Sequence, residues 1–352
     1  MNVIPPLTIT DAMVTSSSVV EVAPAAYAGG STYALNDTVS VAGTAGLQAV
    51  YRSLQAGNIG HTPASSPTWW VSIGNTYQAY SGATTYALAD RAQSNTTHLI
   101  YESLAGGNVG NALTDTTKWI EVGQTNTRAM FDLLRSTAST APTQITVVLT
   151  PGVRTNSVAL LGLVGDSATI TATSGGSPVY SYTEDLTTRA SAGWYAYYFG
   201  GFKYRTAFAV FDIPPYSNIV ITITVTAATG DVSIGACVLG MYEFIGDVQY
   251  DAVSDVLNFS GVTRDFAGSV NTMVQRRNVP RTVQNIYLDK ALVNSVRYLR
   301  DALNATPAVW AGIEDHGDGY FESLLIVGFY KKFSINLSFP TKAVISLELE
   351  EI

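Results

Sequence analysis

Between Ile145 and Gly246, apolar and polar residues alternate in short runs. In "NIVITITVT", Ile219, Ile221, Ile223 and Val225 fall on one side and Thr222, Thr224 and Thr226 on the other, the two-residue period of a half-buried strand. The runs "ITVVLT", "SVALLGL", "SATITAT", "WYAYYF", "AFAVFDI" and "VSIGACVLG" are read as strands too. About seven or eight short strands separated by turn residues predict a β-sandwich. Further on the period changes. Leu288, Leu292, Val296, Leu299 and Leu303 recur three or four residues apart, which predicts one helix face. Asp289 is placed to cap its start, Arg297 and Arg300 lie towards its negative end, and Pro307 follows its stop. The strands "AVWAGIE", "SLLIVGFYKKFSIN" and "KAVISLELEEI" come next, the first two joined by the turn "EDHGDGYFE". That order predicts an α+β unit with its helix packed on a sheet.

The N-terminal third repeats itself with a period of about fifty residues. "STYALNDTVSVAGTAGLQAVYRSLQAGNIGHTPASSPTWWVSIG" is followed by "TTYALADRAQSNTTHLIYESLAGGNVGNALTDTTKWIEVG". Tyr33 matches Tyr86, Tyr51 matches Tyr101, Asn58 matches Asn108, Trp70 matches Trp119 and Gly74 matches Gly123. Brief alternating runs between Gly/Asn turns make each copy a small β-module, whose core one or two aromatics must supply. Trp70 and Trp119, the repeated pair, are expected to be structural. Trp69, matched by Lys118, is the candidate for an exposed binding platform. The predicted class is mainly β: an arm over residues 1–22, modules over 23–75 and 76–124, a linker over 125–144, the sandwich over 145–246 and the α+β unit over 247–352.

Composition narrows the partners. Of 352 residues 47% are hydrophobic, enough for sizeable cores, but only 13% are charged, about half the usual share of roughly 25%. A neutral, hydroxyl-rich surface suits large β-structured assemblies. The net charge is −8 and the one dense basic run is "QRRNVPR", so no nucleic-acid partner is expected. Arg276 and Arg277 in that run are candidates for a subunit contact. The single cysteine, Cys237, allows no internal disulfide and no cysteine-based zinc site. No secretory signal and no membrane span are expected, since no apolar run approaches roughly 18–20 residues.

The repeat motifs also carry a resemblance. "Tyr-Ala-Leu-Asn-Asp-x-Val", "Tyr-x-Ser-Leu", "Gly-Asn-x-Gly-x-x-Pro" and the closing "Trp-Val-x-Ile-Gly" resemble the small chitin-binding-type carbohydrate modules. Leu54 and Leu104 stand where such modules place further aromatics. The resemblance implies a glycan surface at Tyr51, Trp69, Trp70, Tyr101 and Trp119. The flanks "ITDAMVTSSSVVE" and "GQTNTRAMFDLLRS" resemble segments framing such modules in tailed-bacteriophage tail proteins. The sandwich resembles galactose-binding-like jelly rolls, and the C-terminal unit looks like tail-tube and distal-tail folds. Together these imply a structural protein of the virion tail, a distal-tail or baseplate ring built from identical subunits with other tail proteins as partners, displaying modules that attach to a host-surface glycan. A free polysaccharide-binding adhesin is the alternative, and a glycan depolymerase a second one.

No catalytic pattern emerges. His61, His98 and His316 are scattered, and HExxH, paired CxxC, P-loop and GxSxG patterns are absent from the sequence. Glu314, Asp315, His316 and Asp318 form the nearest thing to a ligand cluster, but their spacing departs from an EF-hand loop. A polar turn is the simpler account, and no metal, cofactor or enzymatic activity is expected. The run "GWYAYYFGGFKY" holds Trp194, Tyr195, Tyr197, Tyr198, Phe199, Phe202 and Tyr204. Read as a strand, it buries about half of these rings. The rest are left for a neighbouring subunit or a glycan, with Trp194 and Tyr197 as candidate subunit contacts.

Overall fold

The computed structural model describes residues 1–189, 193–337 and 339–352. Strands hold 49% and helices 9%, in several antiparallel sheets and with no closed barrel among the described residues, so the mainly β expectation is met.

The N-terminal segment is woven into two of the sheets through β1 (Asn2–Ile4) and β2 (Val14–Ser17). Each repeat is a three-stranded antiparallel sheet in chain order. β3 (Thr38–Ala42), β4 (Leu47–Ser53) and β5 (Trp70–Tyr77) form the first, and β6 (Arg91–Ser94), β7 (Leu99–Ser103) and β8 (Trp119–Gln124) the second. Both carry a register shift at the same repeat position, Val50/Tyr51 and Ile100/Tyr101.

Next come β9 (Ser139–Leu149), β10 (Ser157–Leu161), β11 (Ser167–Ser174), β12 (Ser177–Asp185) and β13 (Thr187–Arg189). The short helix α1 (Trp194–Phe199) precedes β14 (Phe202–Tyr204), β15 (Ala207–Val210), β16 (Ile219–Ile234) and β17 (Ala236–Gly240). A five-stranded sheet in the order β12-β11-β16-β9-β2 and a three-stranded sheet in the order β15-β10-β17 contribute to one core. β16 bears out its alternation: Ile219, Ile221, Ile223 and Val225 are buried. Its threonines line the other face, where Thr224 meets Thr146 at 3.3 Å and Thr226 meets Ser167 at 2.9 Å. Cys237 lies in the core, and burial pushes its thiol up to about 12. β9 begins at Ser139, inside the stretch read as a linker, because Ser139 and Ala141 already pair with Ile234 and Val232.

The remainder comprises β18 (Glu243–Phe244), β19 (Asp247–Val248), β20 (Val253–Asn258), β21 (Gly261–Arg264), β22 (Val270–Val274), β23 (Asn278–Asp289), the helix α2 (Val293–Ala302), β24 (Ala308–Ala311), β25 (Leu325–Asn336) and β26 (Lys342–Glu351). The main sheet runs β18-β1-β24-β25-β26-β23-β19, with β20 also on β23. Alternation along its strands gives the sheet two apolar faces. Ile4, Val309, Ala311, Leu325 and Val327 join the core of the preceding two sheets. Val3, Ala308, Trp310 and Ile326 face a second core, where Val296, Leu299 and Leu303 of the helix region pack. Residues 145–246 and 247–352, separate along the sequence, therefore share hydrophobic core.

Two details of the predicted helix are corrected. Leu288 is a buried residue of β23, and a 3-10 turn over Lys290–Leu292 comes between it and α2. Asp289 precedes that turn and makes no side-chain capping bond. A strand residue at the right spacing extends an apparent helical stripe, because burial alone does not distinguish the two periods over one turn.

Candidate functional site

Three surfaces bear on function: the repeats, the aromatic tip at α1 and the segment from 249 to 277. In the repeats, Trp70 and Trp119 are buried as expected of the structural pair. Trp70 Nε1 donates to the His61 carbonyl at 2.7 Å and Trp119 Nε1 to the Asn111 carbonyl at 3.0 Å. Each indole meets two tyrosines: Tyr27 and Tyr33 edge-on to Trp70, and Tyr80 and Tyr86 edge-on to Trp119. Behind them a buried asparagine holds the turn. Asn58 Nδ2 donates to Ser53 Oγ at 3.0 Å, and Asn108 Nδ2 donates to Ser103 Oγ at 2.9 Å. Asp37 and Asp90 each accept a 2.7 Å bond from the backbone N–H three residues earlier. The motif residues thus build the frame, and Trp70 and Trp119 have no free face for a sugar.

The expected platform takes a different form. Trp69 is half-buried and stacks on His61, with ring centroids 4.0 Å apart and planes 11° from parallel. One face of the indole is therefore covered by its own module. Leu54 and Leu104 are exposed, and Tyr51 and Tyr101 are half-buried. Around Tyr101 the repeats form a cleft of about 390 Å³ lined by Tyr80, Tyr101, Leu113, Gln93 and the Ser94–Thr97 turn. A tyrosine wall beside amide and hydroxyl groups offers both stacking and hydrogen bonding.

Repeat 2 is anchored by a residue for which the sequence offered no signal. The Glu21 carbonyl accepts 2.6 Å bonds from Thr76 Oγ1 and Gln93 Nε2, and its carboxylate accepts one from Thr125 Oγ1 at 2.9 Å. His98 bridges two carboxylates, with Nδ1 2.8 Å from Glu21 and Nε2 3.0 Å from Asp11. Arg128 reaches Asp11 at 2.6 Å. Burial works against a charged His98, but hydrogen bonds to Glu21 and Asp11 outweigh it and its pKa is raised.

His316 also has a structural setting. Its Nδ1 lies 3.1 Å from Tyr182 Oη and 3.7 Å from Glu184, which is paired with Arg205. This cluster joins the five-stranded sheet to the turn between β24 and β25. Asp315 and Asp318 bond backbone N–H groups two residues ahead, the polar-turn geometry expected. Among the described residues no three His, Cys, Asp or Glu groups converge as a metal site.

"WYAYYF" is corrected from strand to helix. α1 sits at the tip of the β13–β14 hairpin, and Gly193, with φ +144°, precedes it. Trp194, Tyr195, Tyr197, Tyr198, Phe199 and Tyr204 are all exposed, so the expected half-buried ring set is not formed. The side chain of Phe202 lies outside the described residues. Aromatic composition favours a strand, but local bonds such as Tyr197 N–H to the Gly193 carbonyl, 2.9 Å, serve the backbone at an isolated tip.

Of the basic pair, Arg277 is used within the chain. It lies 2.9 Å from Glu351, whose buried carboxylate also meets Arg135 at 3.2 Å. Arg276 is exposed, and its N–H donates to Ser260 Oγ at 3.0 Å. Beyond these residues, β21 and β22 form a hairpin that pairs with no other strand among the described residues, and all their residues are exposed. Tyr250 and Phe266 are fully exposed, and Val253, Phe259, Val262 and Met273 are at least half in solvent or close to it.

Compared with known protein families and with curated proteins, the chain matches no family model and no curated relative. No helix among the described residues is long and apolar enough to cross a membrane.

Proposed function

We propose that the chain is a structural protein of a tailed-phage virion, closing a ring of identical subunits on the tail through its C-terminal α+β unit and presenting two carbohydrate-module-like repeats to the host surface. The observation that supports it most is the β21–β22 arm. A two-stranded hairpin is marginal on its own in water, and one that exposes Val262, Phe266, Val270 and Met273 presents the apolar area that subunit contacts cover. A closed ring covers the arm of every subunit with its neighbour. In this reading the α+β unit is a tail-tube or distal-tail-like fold and the preceding sheets are a galactose-binding-like jelly roll.

The test is the mass of the full-length chain by light scattering, with negative-stain images of the same peak. A ring is expected, with Phe266→Ser plus Met273→Ser reducing it to monomer while the circular-dichroism spectrum is unchanged. A chain that stays monomeric at high concentration would count against it.

The Tyr101 cleft favours a second reading, a free adhesin. It expects a monomer that binds a polysaccharide on a glycan array and loses that binding with Tyr101→Ala.

A further inference from the structure

We propose that the aromatic tip at α1 docks into the interface of an anionic lipid bilayer. Trp194, Tyr195 and Phe199 are 79%, 80% and 76% exposed, and Tyr198 is 63% exposed. At 100° per residue, positions 194, 195, 197, 198 and 199 spread over about 200° of the helix circumference. A flat protein partner contacts one side of so short a helix, whereas a bilayer that receives the tip surrounds it. Tryptophan and tyrosine are the side chains that favour the headgroup boundary, with an apolar ring below and a polar group above.

The chemistry argues against a sugar as the occupant. A cleft of about 460 Å³ lies beside Gly193, Trp194, Tyr197 and Tyr198, and among the described residues no carboxylate, side-chain amide or guanidinium lines it. Sugar sites pair a stacking ring with such groups. Charge favours lipid phosphate. From Leu186 to Phe211 the sequence holds Arg189, Lys203 and Arg205 and no acidic residue, in a chain of net charge −8. Arg205 is engaged by Glu184. Lys203, exposed on β14 at the base of the tip, lies in register with Thr188 of β13. A basic residue at that height meets anionic headgroups as the rings enter the boundary.

The experiment is flotation of the full-length protein with vesicles of phosphatidylcholine alone and of phosphatidylcholine mixed with phosphatidylglycerol, alongside a variant carrying W194S, Y195S, Y198S and F199S. These side chains are exposed, and unchanged circular dichroism establishes that the variant folds. The wild type is expected to float with the mixed vesicles at least tenfold more than with neutral ones, and the variant to lose that binding at least tenfold. Lys203→Glu, with the rings intact, should reduce flotation several-fold, and more at low salt than at high. The idea is overturned if the wild type floats with neither vesicle, or if the variant floats as well as the wild type. It is also overturned if the variant's only change is a lower assembly mass by light scattering, which makes the tip a subunit contact. Because the readout is lipid binding, it stands or falls separately from ring formation.

Discussion

The two repeats are built on one frame and differ in what surrounds it. In both, a buried tryptophan donates to a loop carbonyl, a buried asparagine bonds a serine five residues earlier, and an aspartate closes the turn with the same 2.7 Å bond. Outside the frame they part. Repeat 1 covers Trp69 with His61, while repeat 2 has Lys118 at the matching place and opens the Tyr101 cleft. Asn111, which stands where His61 does, donates to Asn108 Oδ1 at 2.8 Å. A module with so small a core tolerates change only where side chains leave that core.

The largest effect should come from the frame itself. Trp119→Ala removes most of the repeat 2 core, and truncating a buried tryptophan costs about 3–5 kcal/mol, enough to unfold the module. Limited proteolysis should then cut between residues 79 and 124 while β9 to β26 remain protected. Trp70→Ala should do the same to repeat 1. Cleavage confined to the loops in both variants would show that the indoles are not the cores.

Next come the asparagines. Asn108→Ala leaves buried partners unpaired at a cost of about 1–3 kcal/mol. Asn58→Ala should fall at the lower end, because Asn58 Oδ1 has no partner among the described residues whereas Asn108 Oδ1 accepts from Asn111. Urea unfolding of the two variants ranks them, and equal losses would remove this distinction between the repeats.

A smaller effect, of opposite sign, is expected at Ala89. It holds φ +69° where repeat 1 has Asn36 at φ +70°, a left-handed conformation that alanine adopts at a cost of about 1 kcal/mol or more. Ala89→Asn should raise the thermal midpoint of repeat 2, and Asn36→Ala should lower that of repeat 1.

The smallest effect should be in pH response, and it should separate the repeats in kind. His98 has a raised pKa in the folded chain, so its stabilisation is complete below the ordinary histidine value and is lost as pH rises through the folded one. Asp11 is largely exposed, so salt should weaken the effect. Unfolding of repeat 2 followed across neutral pH should show the loss, and His98→Gln should flatten the profile. A profile unchanged by His98→Gln would mean that the contacts to Glu21 and Asp11 do not depend on the imidazolium.

Much of this architecture was legible in the sequence. The threonine-and-isoleucine alternation of β16 located a strand because one buried face imposes a period of two, and the repeated Trp70 and Trp119 identified a core because duplication preserves what packing requires. Leucine spacing found α2, though it also took in Leu288. Contacts between distant segments left no such pattern. Glu21, Glu184 and Glu351 each join elements far apart in the chain, and a single carboxylate has no period.

What the amino-acid order determined by itself was local: strands and helix where side-chain periodicity meets a buried face, turns at glycine and asparagine, and the duplicated frame. Tertiary structure alone decided that Asn2–Ile4 enters the sheet beside β24, that residues 145–246 share core with the C-terminal sheet, and that "WYAYYF" coils at a tip. Periodicity reports only whether a face is buried. Which partner buries it, or whether any strand lies near enough to pair, depends on where the rest of the chain has already packed.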